Sequence, residues 1–193
     1  NFPQEIQESD FMKEVEAMNQ DESIHGVLIF LPLPDHISED RVKGALVPEK
    51  DVDGITFINS AKLFLGLEGL APCTARGVVE LLKYYDIPLE GAKVTIIGRS
   101  LVVGKPLSML LLKENATVTI THSKTKDLPI LAKESDILVA ALGKAEFVDE
   151  TFVKDGMVVI DVGINQNEEG DMVGDVDYDK VSPAVFAISP VPG

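Results

Sequence analysis

The sequence is short of residues that cross-link a chain or anchor it in a membrane. Its 193 residues include one cysteine, Cys73, and no tryptophan. One cysteine rules out a disulfide within the chain and fits a reducing compartment, so we expect a cytoplasmic protein. No apolar run approaches the length that spans a bilayer, and no signal-peptide pattern opens the chain. We therefore expect no membrane partner.

Positive charge is also scarce. Lys and Arg number 17 against 32 Asp and Glu, which gives a formal net charge of −15. A field of this sign repels nucleic acid, so no nucleic-acid partner is expected. The apolar content of 45% is enough for a full core, and the length indicates one large domain or one domain plus part of another. Because the chain begins with Asn and stops on "SPVPG", we expect a fragment of a longer protein.

Patterns for metal binding and nucleophilic catalysis are missing as well. The three histidines lie far apart in sequence and form no metal motif. Asp51 and Asp53 alternate, but no histidine or further acid joins them at metal-ligand spacing, so no metal site is predicted. Cys73 precedes a helix start, which can activate a thiol, yet no histidine is identifiable as its base. We therefore predict no nucleophilic cysteine.

The first part of the chain mixes helical and strand patterns. Apolar residues recur at helical spacing over 9–18, with Ser9 as the predicted cap. The apolar run "HGVLIFL" at 25–31 predicts a buried strand that ends at prolines, and a short helix is predicted over 38–46. The stretch "APCTARGVVELLKYYDIP" predicts a helix capped by Thr74. Its buried stripe would consist of Val78, Val79, Leu81, Leu82 and Tyr85.

From residue 93 onward the pattern is regular. Five β-rich runs follow one another, namely "KVTIIG", "ATVTIT", "DILVAAL", "MVVIDVG" and "VFAIS". Helix-compatible segments at 105–114 and 127–133 separate the first three, which predicts βαβ units and a parallel sheet. We predict an α/β protein with a Rossmann-type parallel-sheet domain over 76–193, without its C-terminal end. Residues 1–75 would be part of an N-terminal α/β catalytic domain that lacks its start.

The stretch "GRSLVVG" joins the first of these strands to a helix. A helix that starts there points its free N–H groups at the loop, where a phosphate can be held. Gly98 would permit the tight turn and Gly104 a close approach, while Arg99 and Ser100 offer donors to phosphate oxygens. The spacing differs from G-x-G-x-x-G, so these residues alone favour an ordinary strand-to-helix turn over a phosphate site.

Two further strand ends and one loop carry polar chemistry. The run "THSKT" has no carboxylate where an NAD site would have one, and its Ser123 and Lys124 favour NADP or simply form a solvated loop. In "DVGIN", Gly163 would let a flat ring approach the backbone or would merely end the strand. In "PEKDVDG", either Asp51 or Asp53 could bind a heterocycle, or the acids could cap the loop.

Eight stretches, in this order, resemble the bifunctional methylenetetrahydrofolate dehydrogenase/methenyltetrahydrofolate cyclohydrolase family: "GVLIFLPLP", "PEKDVDG", "PCTARG", "GRSLVVGKP", "THSKT", "DVGIN", "GDVDYD" and "SPVPG". The resemblance runs from about His25 to Gly193. It implies a two-domain multifunctional enzyme of one-carbon metabolism and purine biosynthesis, a cytoplasmic homodimer with a folate cleft between its domains. The implied oxidoreductase activity converts 5,10-methylenetetrahydrofolate to 5,10-methenyltetrahydrofolate with NADP, and the implied hydrolase activity gives 10-formyltetrahydrofolate.

The resemblance also implies residue roles. Asp53 would hold the pterin as the catalytic residue. The residues of the folate cleft would be Leu31, Pro32, Asp53, Pro192 and Gly193. The residues of the dinucleotide site would be Gly98, Arg99, Ser100, Gly104, Ser123, Ala141 and Ile164.

One departure from the family concerns the hydrolase step. In the family, a lysine four residues after a tyrosine serves this step and a glutamine orients it. This chain has no Tyr-x-x-x-Lys, which the family places upstream of residue 1, and Phe30 occupies the glutamine position. Losing a hydrogen bond to a charged group costs about 1.5 to 3 kcal/mol, roughly ten- to a hundredfold in rate. We expect intact dehydrogenation and weakened hydrolysis.

Two alternatives from other classes of protein can be weighed against the same residues. A non-catalytic module that binds folate or a nucleotide would keep the cleft and lose turnover, and Phe30 is its support. An NAD-dependent dehydrogenase of another Rossmann family would need a carboxylate near Ser123, and the sequence has none there.

Overall fold

The computed structural model describes residues 2–167 and 169–192, and the chain divides into two compact units, Asn1–Cys73 and Thr74–Gly193. Among the described residues, every helix is too short or too polar to cross a bilayer.

The first unit is built from helices around a small core. It contains α1 (Glu8–Gln20), α2 (Glu39–Ala45) and α3 (Phe57–Phe64). Ser38 caps α2 through its hydroxyl, which accepts a hydrogen bond from the N–H of Arg41, so the helix predicted over 38–46 is confirmed. The buried apolar side chains of this core are those of Phe11, Val15, Val27, Ile29, Ile37, Val42, Leu46 and Ile55.

Two predictions for this unit are wrong. Gln7, not Ser9, occupies the N-cap of α1 and makes no side-chain hydrogen bond there. The predicted strand over 25–31 is not formed, since only Val27 makes a bridge, to Asp51. Val27 and Ile29 point into the core while Leu28 and Phe30 are exposed, so the alternation is real. A strand also needs a neighbouring backbone, and the described part of this unit offers one bridge rather than a ladder.

The helix α4 (Cys73–Tyr84) belongs to the second unit from Thr74 onward, so Thr74 lies inside the helix and is not its cap. Val78, Val79 and Leu82 are buried as predicted, whereas Leu81 and Tyr85 are exposed. The predicted stripe was too wide: Tyr85 lies beyond the end of α4, and Leu81 lies outside the buried face of the helix.

A parallel sheet forms the centre of this unit. Its strands are β1 (Lys93–Ile97), β2 (Thr117–Thr121), β3 (Ile137–Ala140), β4 (Val158–Asp161) and, after a hairpin of β5 (Asn165–Gln166) and β6 (Met172–Val173), β7 (Ala187–Ile188). The five strands pair in the order β2-β1-β3-β4-β7, all parallel. The helices are α5 (Gly104–Lys113), α6 (Leu128–Lys133) and α7 (Tyr178–Val181). The predicted parallel-sheet fold is confirmed.

Both faces of the sheet are covered. On one face Ile96 and Val139 pack in a core with residues of α4 and α5. On the other, Ile97 and Leu138 pack with Ala132 of α6. Successive strand residues point to opposite faces, so strands buried on both sides appear in the sequence as continuous apolar runs. This explains why the pattern after residue 93 was so regular.

Candidate functional site

The loop between β1 and α5 is shaped by its two glycines. Gly98 has φ +133°, and a Cβ there would overlap the carbonyl oxygen of Ala141. A Cβ on Gly104 would overlap the carbonyl of Gly98. The first turn of α5 is therefore packed directly against the end of β1, and both positions require glycine.

The Ser100 side chain binds the backbone where α5 begins, at its N-cap residue Val103 and at Gly104. Its hydroxyl accepts hydrogen bonds from the N–H groups of Val103 (3.1 Å) and Gly104 (3.5 Å), and its carbonyl accepts from Lys105 (3.1 Å). A hydroxyl that accepts two bonds still has its own hydrogen to donate. Arg99 is exposed beside it. The loop thus presents a guanidinium and a hydroxyl donor, both suited to phosphate oxygens.

The turn after β2 presents similar chemistry. The N–H of His122 donates to Thr125 Oγ1 (2.9 Å), and the N–H of Lys124 donates to His122 Nδ1 (3.1 Å). Ser123 and Lys124 project outward from this turn. The turn contains a hydroxyl and an ammonium group but no carboxylate, which suits an additional phosphate better than ribose hydroxyls.

Strand register brings these groups to one edge of the sheet. Ile97 pairs with Thr121, so Arg99 and Ser123 each lie two residues beyond a paired position. Ala141 follows Ala140, which pairs with both Ile97 and Asp161. Ligands of open parallel sheets bind at the carboxyl ends of the strands. The predicted dinucleotide residues of the second unit all follow strands that end at that edge.

The ends of β3 and β4 are held by two aspartates. Ala141 is half-buried, whereas the side chain of Ile164 is 74% exposed. Between them, Asp175 is fully buried and Asp161 is half-buried, and each accepts several backbone hydrogen bonds. Gly163, interpreted as room for a flat ring, lacks a Cβ because the Asp175 carboxylate occupies that space.

Asp175 was missed by the sequence analysis, which gave "GDVDYD" no role. Its partners at Leu142 to Lys144 lie more than thirty residues earlier in the chain. A Gly-Asp pair directly after the short strand β6 is the local signal that could have pointed to it.

In the first unit, the loop "PEKDVDG" separates its acids into two environments. Asp51 is 1% exposed, and it accepts hydrogen bonds from the N–H of Ile55 (3.0 Å), the N–H of Thr56 (2.8 Å) and Asn59 Nδ2 (2.9 Å). Asp53 is half-buried and accepts from the N–H of Cys73 (3.1 Å). A carboxylate has about four acceptor sites, so Asp53 can take further donors from a ligand.

The remaining predicted folate residues are in exposed or half-buried positions. Leu31 is half-buried and is followed by a cis peptide bond to the exposed Pro32. Pro192 is exposed, also after a cis bond, and Gly193 lies outside the described residues. Phe30, beside Leu31, is 82% exposed. Within 2–167 and 169–192, no cluster of His, Cys, Asp and Glu is arranged to hold a metal ion.

Comparison with known proteins identifies the family. Residues 72–193 match "Tetrahydrofolate dehydrogenase/cyclohydrolase, NAD(P)-binding domain", and residues 1–53 match "Tetrahydrofolate dehydrogenase/cyclohydrolase, catalytic domain". The Bifunctional protein FolD of Ligilactobacillus salivarius is 49% identical over 192 residues, which are 100% of this chain and 67% of that protein.

Solved structures agree. The bifunctional FolD enzyme from Campylobacter jejuni superposes with a TM-score of 0.96 at 44% identity, over 98% of this chain and 68% of that one. The Trypanosoma brucei enzyme, solved with NADP cofactor and an inhibitor, superposes with a TM-score of 0.92 at 34% identity, over 100% of this chain and 68% of that one.

A parallel sheet covered on both faces, donors suited to phosphate oxygens at its carboxyl edge, and a match to an NAD(P)-binding domain define a dinucleotide-binding protein of the Rossmann class. Within that class, the chain belongs to the tetrahydrofolate dehydrogenase/cyclohydrolase family, which confirms the resemblance drawn from its sequence. It spans about two thirds of the length of the relatives that it matches, 67% for the L. salivarius protein.

Proposed function

We propose that the full-length protein oxidises 5,10-methylenetetrahydrofolate to 5,10-methenyltetrahydrofolate with NADP and hydrolyses the product to 10-formyltetrahydrofolate. One observation carries the cofactor part of this proposal. The register of β1 and β2 gives Arg99 and Ser123 equivalent positions at the carboxyl edge, in a turn region without a carboxylate. That arrangement favours the extra phosphate of NADP over the free ribose of NAD.

In the dehydrogenase step, the residues of the chain would bind and orient the folate substrate and NADP, and they would transfer no proton. Bound NADP supplies the hydride acceptor. Arg99, Ser100 and Ser123 would hold its phosphates, while Ala141 and Ile164 would line the dinucleotide site. Asp53, whose carboxylate is anchored by Cys73 and has acceptor capacity left, would accept hydrogen bonds from the pterin. Holding donor and acceptor carbons together supplies much of the rate of such a transfer.

The hydrolase step would be the weaker activity. The Phe30 side chain is 82% exposed and apolar, so it cannot accept or donate a hydrogen bond where the family has an orienting glutamine. Phe30→Gln should raise hydrolysis of the methenyl compound by about tenfold or more and leave dehydrogenation unchanged. Equal hydrolysis rates with and without the substitution would remove this part of the proposal.

The folate-binding part would be residues 1–75 and the NADP-binding domain residues 76–193. The protein would work as a cytoplasmic homodimer. The lone cysteine supports the reducing compartment, and the resemblance to the family supports the dimer.

The test of the cofactor assignment is Arg99→Ala in the full-length protein. We expect the KM for NADP to rise about tenfold or more while activity with NAD is unchanged, because a charge-assisted hydrogen bond to phosphate is lost. Lys133→Ala is the matched control, since it removes an exposed cation just before β3, at the opposite edge of the sheet. An Arg99→Ala enzyme with the parent's KM for NADP would overturn the assignment.

A further inference from the structure

Asp175 joins two loops that are distant in sequence. It is fully buried, and its Oδ2 accepts from the N–H groups of Leu142 (2.6 Å) and Gly143 (3.1 Å). Its Oδ1 accepts from the N–H of Lys144 (2.8 Å) and from Asn165 Nδ2 (2.9 Å). One carboxylate therefore ties the loop after β3 to the first residue of the hairpin after β4.

Asp161 makes the reciprocal connection. Its Oδ1 accepts from the N–H groups of Gly163 (3.0 Å) and Asp175 (2.9 Å), and its Oδ2 accepts from the N–H of Val176 (2.9 Å). A Cβ on Gly174 would overlap the Asp161 carboxylate, just as a Cβ on Gly163 would overlap that of Asp175. Each aspartate thus packs against a glycine within two residues of the other, and the two loops interlock.

The interlocked loops carry the residues assigned to the dinucleotide site. Ala141 immediately precedes the N–H groups that Asp175 holds, and Ile164 immediately precedes Asn165. We propose that Asp175 is a positioning residue for the cofactor: it fixes the ends of β3 and β4 so that both loops face the dinucleotide. This inference rests on the proposed function, because it takes Ala141 and Ile164 to line the NADP site.

A carboxylate is required at this position, and an amide does not suffice. Both oxygens of Asp175 accept two donors each. In Asp175→Asn, one oxygen becomes an NH2 group that faces two N–H donors, so one loop must move away. The burial of the side chain leaves little room for water to replace the lost acceptor.

The test is Asp175→Asn in the full-length protein. The fluorescence of NADPH measures its affinity, and steady-state kinetics measure KM and kcat. We expect the Kd for NADPH and the KM for NADP to rise at least tenfold, with kcat reduced less than threefold and the KM for the folate substrate unchanged. Asp171→Asn is the matched control, an exposed aspartate of the same hairpin, and it should behave like the parent.

A second variant covers the case in which Asp175→Asn does not fold. Asn165→Ala removes only the bond between Asp175 and the segment after β4, and it should raise the Kd for NADPH about threefold while the protein stays folded at the assay temperature. Parent-like NADPH affinity in the folded Asp175→Asn protein, or in Asn165→Ala if the former is unfolded, overturns the inference. A parent enzyme that binds no NADPH at all would instead overturn the proposed function.

Discussion

Asp51 in the first unit and Asp175 in the second are both buried aspartates that hold a loop by accepting backbone hydrogen bonds. They differ in reach. Asp51 binds donors within eight residues of itself, whereas Asp175 binds three N–H groups more than thirty residues earlier in the chain, in addition to Asn165 Nδ2. The first aspartate shapes one local turn, and the second joins the ends of separate strands.

The second aspartate of each pair, Asp53 or Asp161, differs more in how many hydrogen bonds it accepts from the protein. Asp53 accepts a hydrogen bond from the N–H of Cys73 and has capacity for a ligand. Asp161 accepts from three backbone N–H groups, so its acceptor sites are largely used inside the protein. In the first pair, one aspartate holds the fold and the other is available to a ligand, whereas both aspartates of the second pair hold the fold. The number of acceptor sites that each carboxylate already uses inside the protein distinguishes the two roles.

The largest expected effect on stability comes from Asp51. Asp51→Ala leaves three buried donors without an acceptor, and each such donor costs about 1 to 3 kcal/mol, so we expect a loss of about 3 kcal/mol or more in the free energy of unfolding. Asp53→Ala should cost about 1 kcal/mol or less. Urea unfolding of both variants is the measurement. Equal losses would mean that Asp51 and Asp53 are not separated into structural and chemical roles.

The next effect is on activity and concerns Asp53. Asp53→Asn keeps an oxygen to accept from the N–H of Cys73 but loses its charge, so dehydrogenation should fall about ten- to a hundredfold while the unfolding midpoint stays within error. Asp161→Asn should have the opposite pattern: the unfolding midpoint should fall, whereas kcat should change little. A stable Asp53→Asn protein with full activity would contradict the chemical role.

Glycines provide a third comparison. Gly174→Ala forces a methyl group onto the Asp161 carboxylate, which three N–H groups hold in place, and overpacking of this kind costs about 1 to 3 kcal/mol. Gly77→Ala in α4 meets no atom and should be neutral or stabilise by about 0.5 to 1 kcal/mol. Thermal unfolding of the two variants measures the difference. A parent-like Gly174→Ala protein would show that the interlock is loose.

The smallest expected effect concerns the pKa values of two carboxyl groups, those of Asp161 and Glu39. Burial raises the pKa of the Asp161 carboxyl, against the opposing hydrogen bonds, and the charge of Asp175 raises it further. In the first unit, the hydrogen bond from Lys43 lowers the pKa of the Glu39 carboxyl. As the pH falls, protonation of Asp161 therefore favours the folded state, whereas protonation of Glu39 disfavours it.

Carbon-detected NMR titration of these two side chains checks the signs. In Asp175→Asn the pKa of Asp161 should move down, because a neighbouring negative charge is gone, while that of Glu39 should not change. An unmoved Asp161 would mean that the two carboxylates do not sense each other.

The two units also differ in how much of them the sequence could predict. The central strands after residue 93 were predicted because both of their faces are buried, so each forms an apolar run, whereas the edge strand β2 has exposed residues and was predicted from its β-rich composition. The run at 25–31 has similar composition, but its structure depends on a neighbour that apolar pattern cannot report, and only the Val27–Asp51 bridge forms. The glycine turn from Gly98 to Gly104 could be predicted because its residues are local, and its binding of phosphate stays a prediction. The contacts of Asp175 could not be predicted, because its partners come together only after the strands are in register.

The decisive experiment measures NADPH formation from 5,10-methylenetetrahydrofolate by the full-length protein and compares the parent with Asp53→Asn. We expect NADP-dependent turnover in the parent, much less with NAD, and a loss of about ten- to a hundredfold in the variant at unchanged stability. A folded parent protein that binds NADPH and folate but forms no NADPH would contradict this expectation and would favour a binding module without turnover.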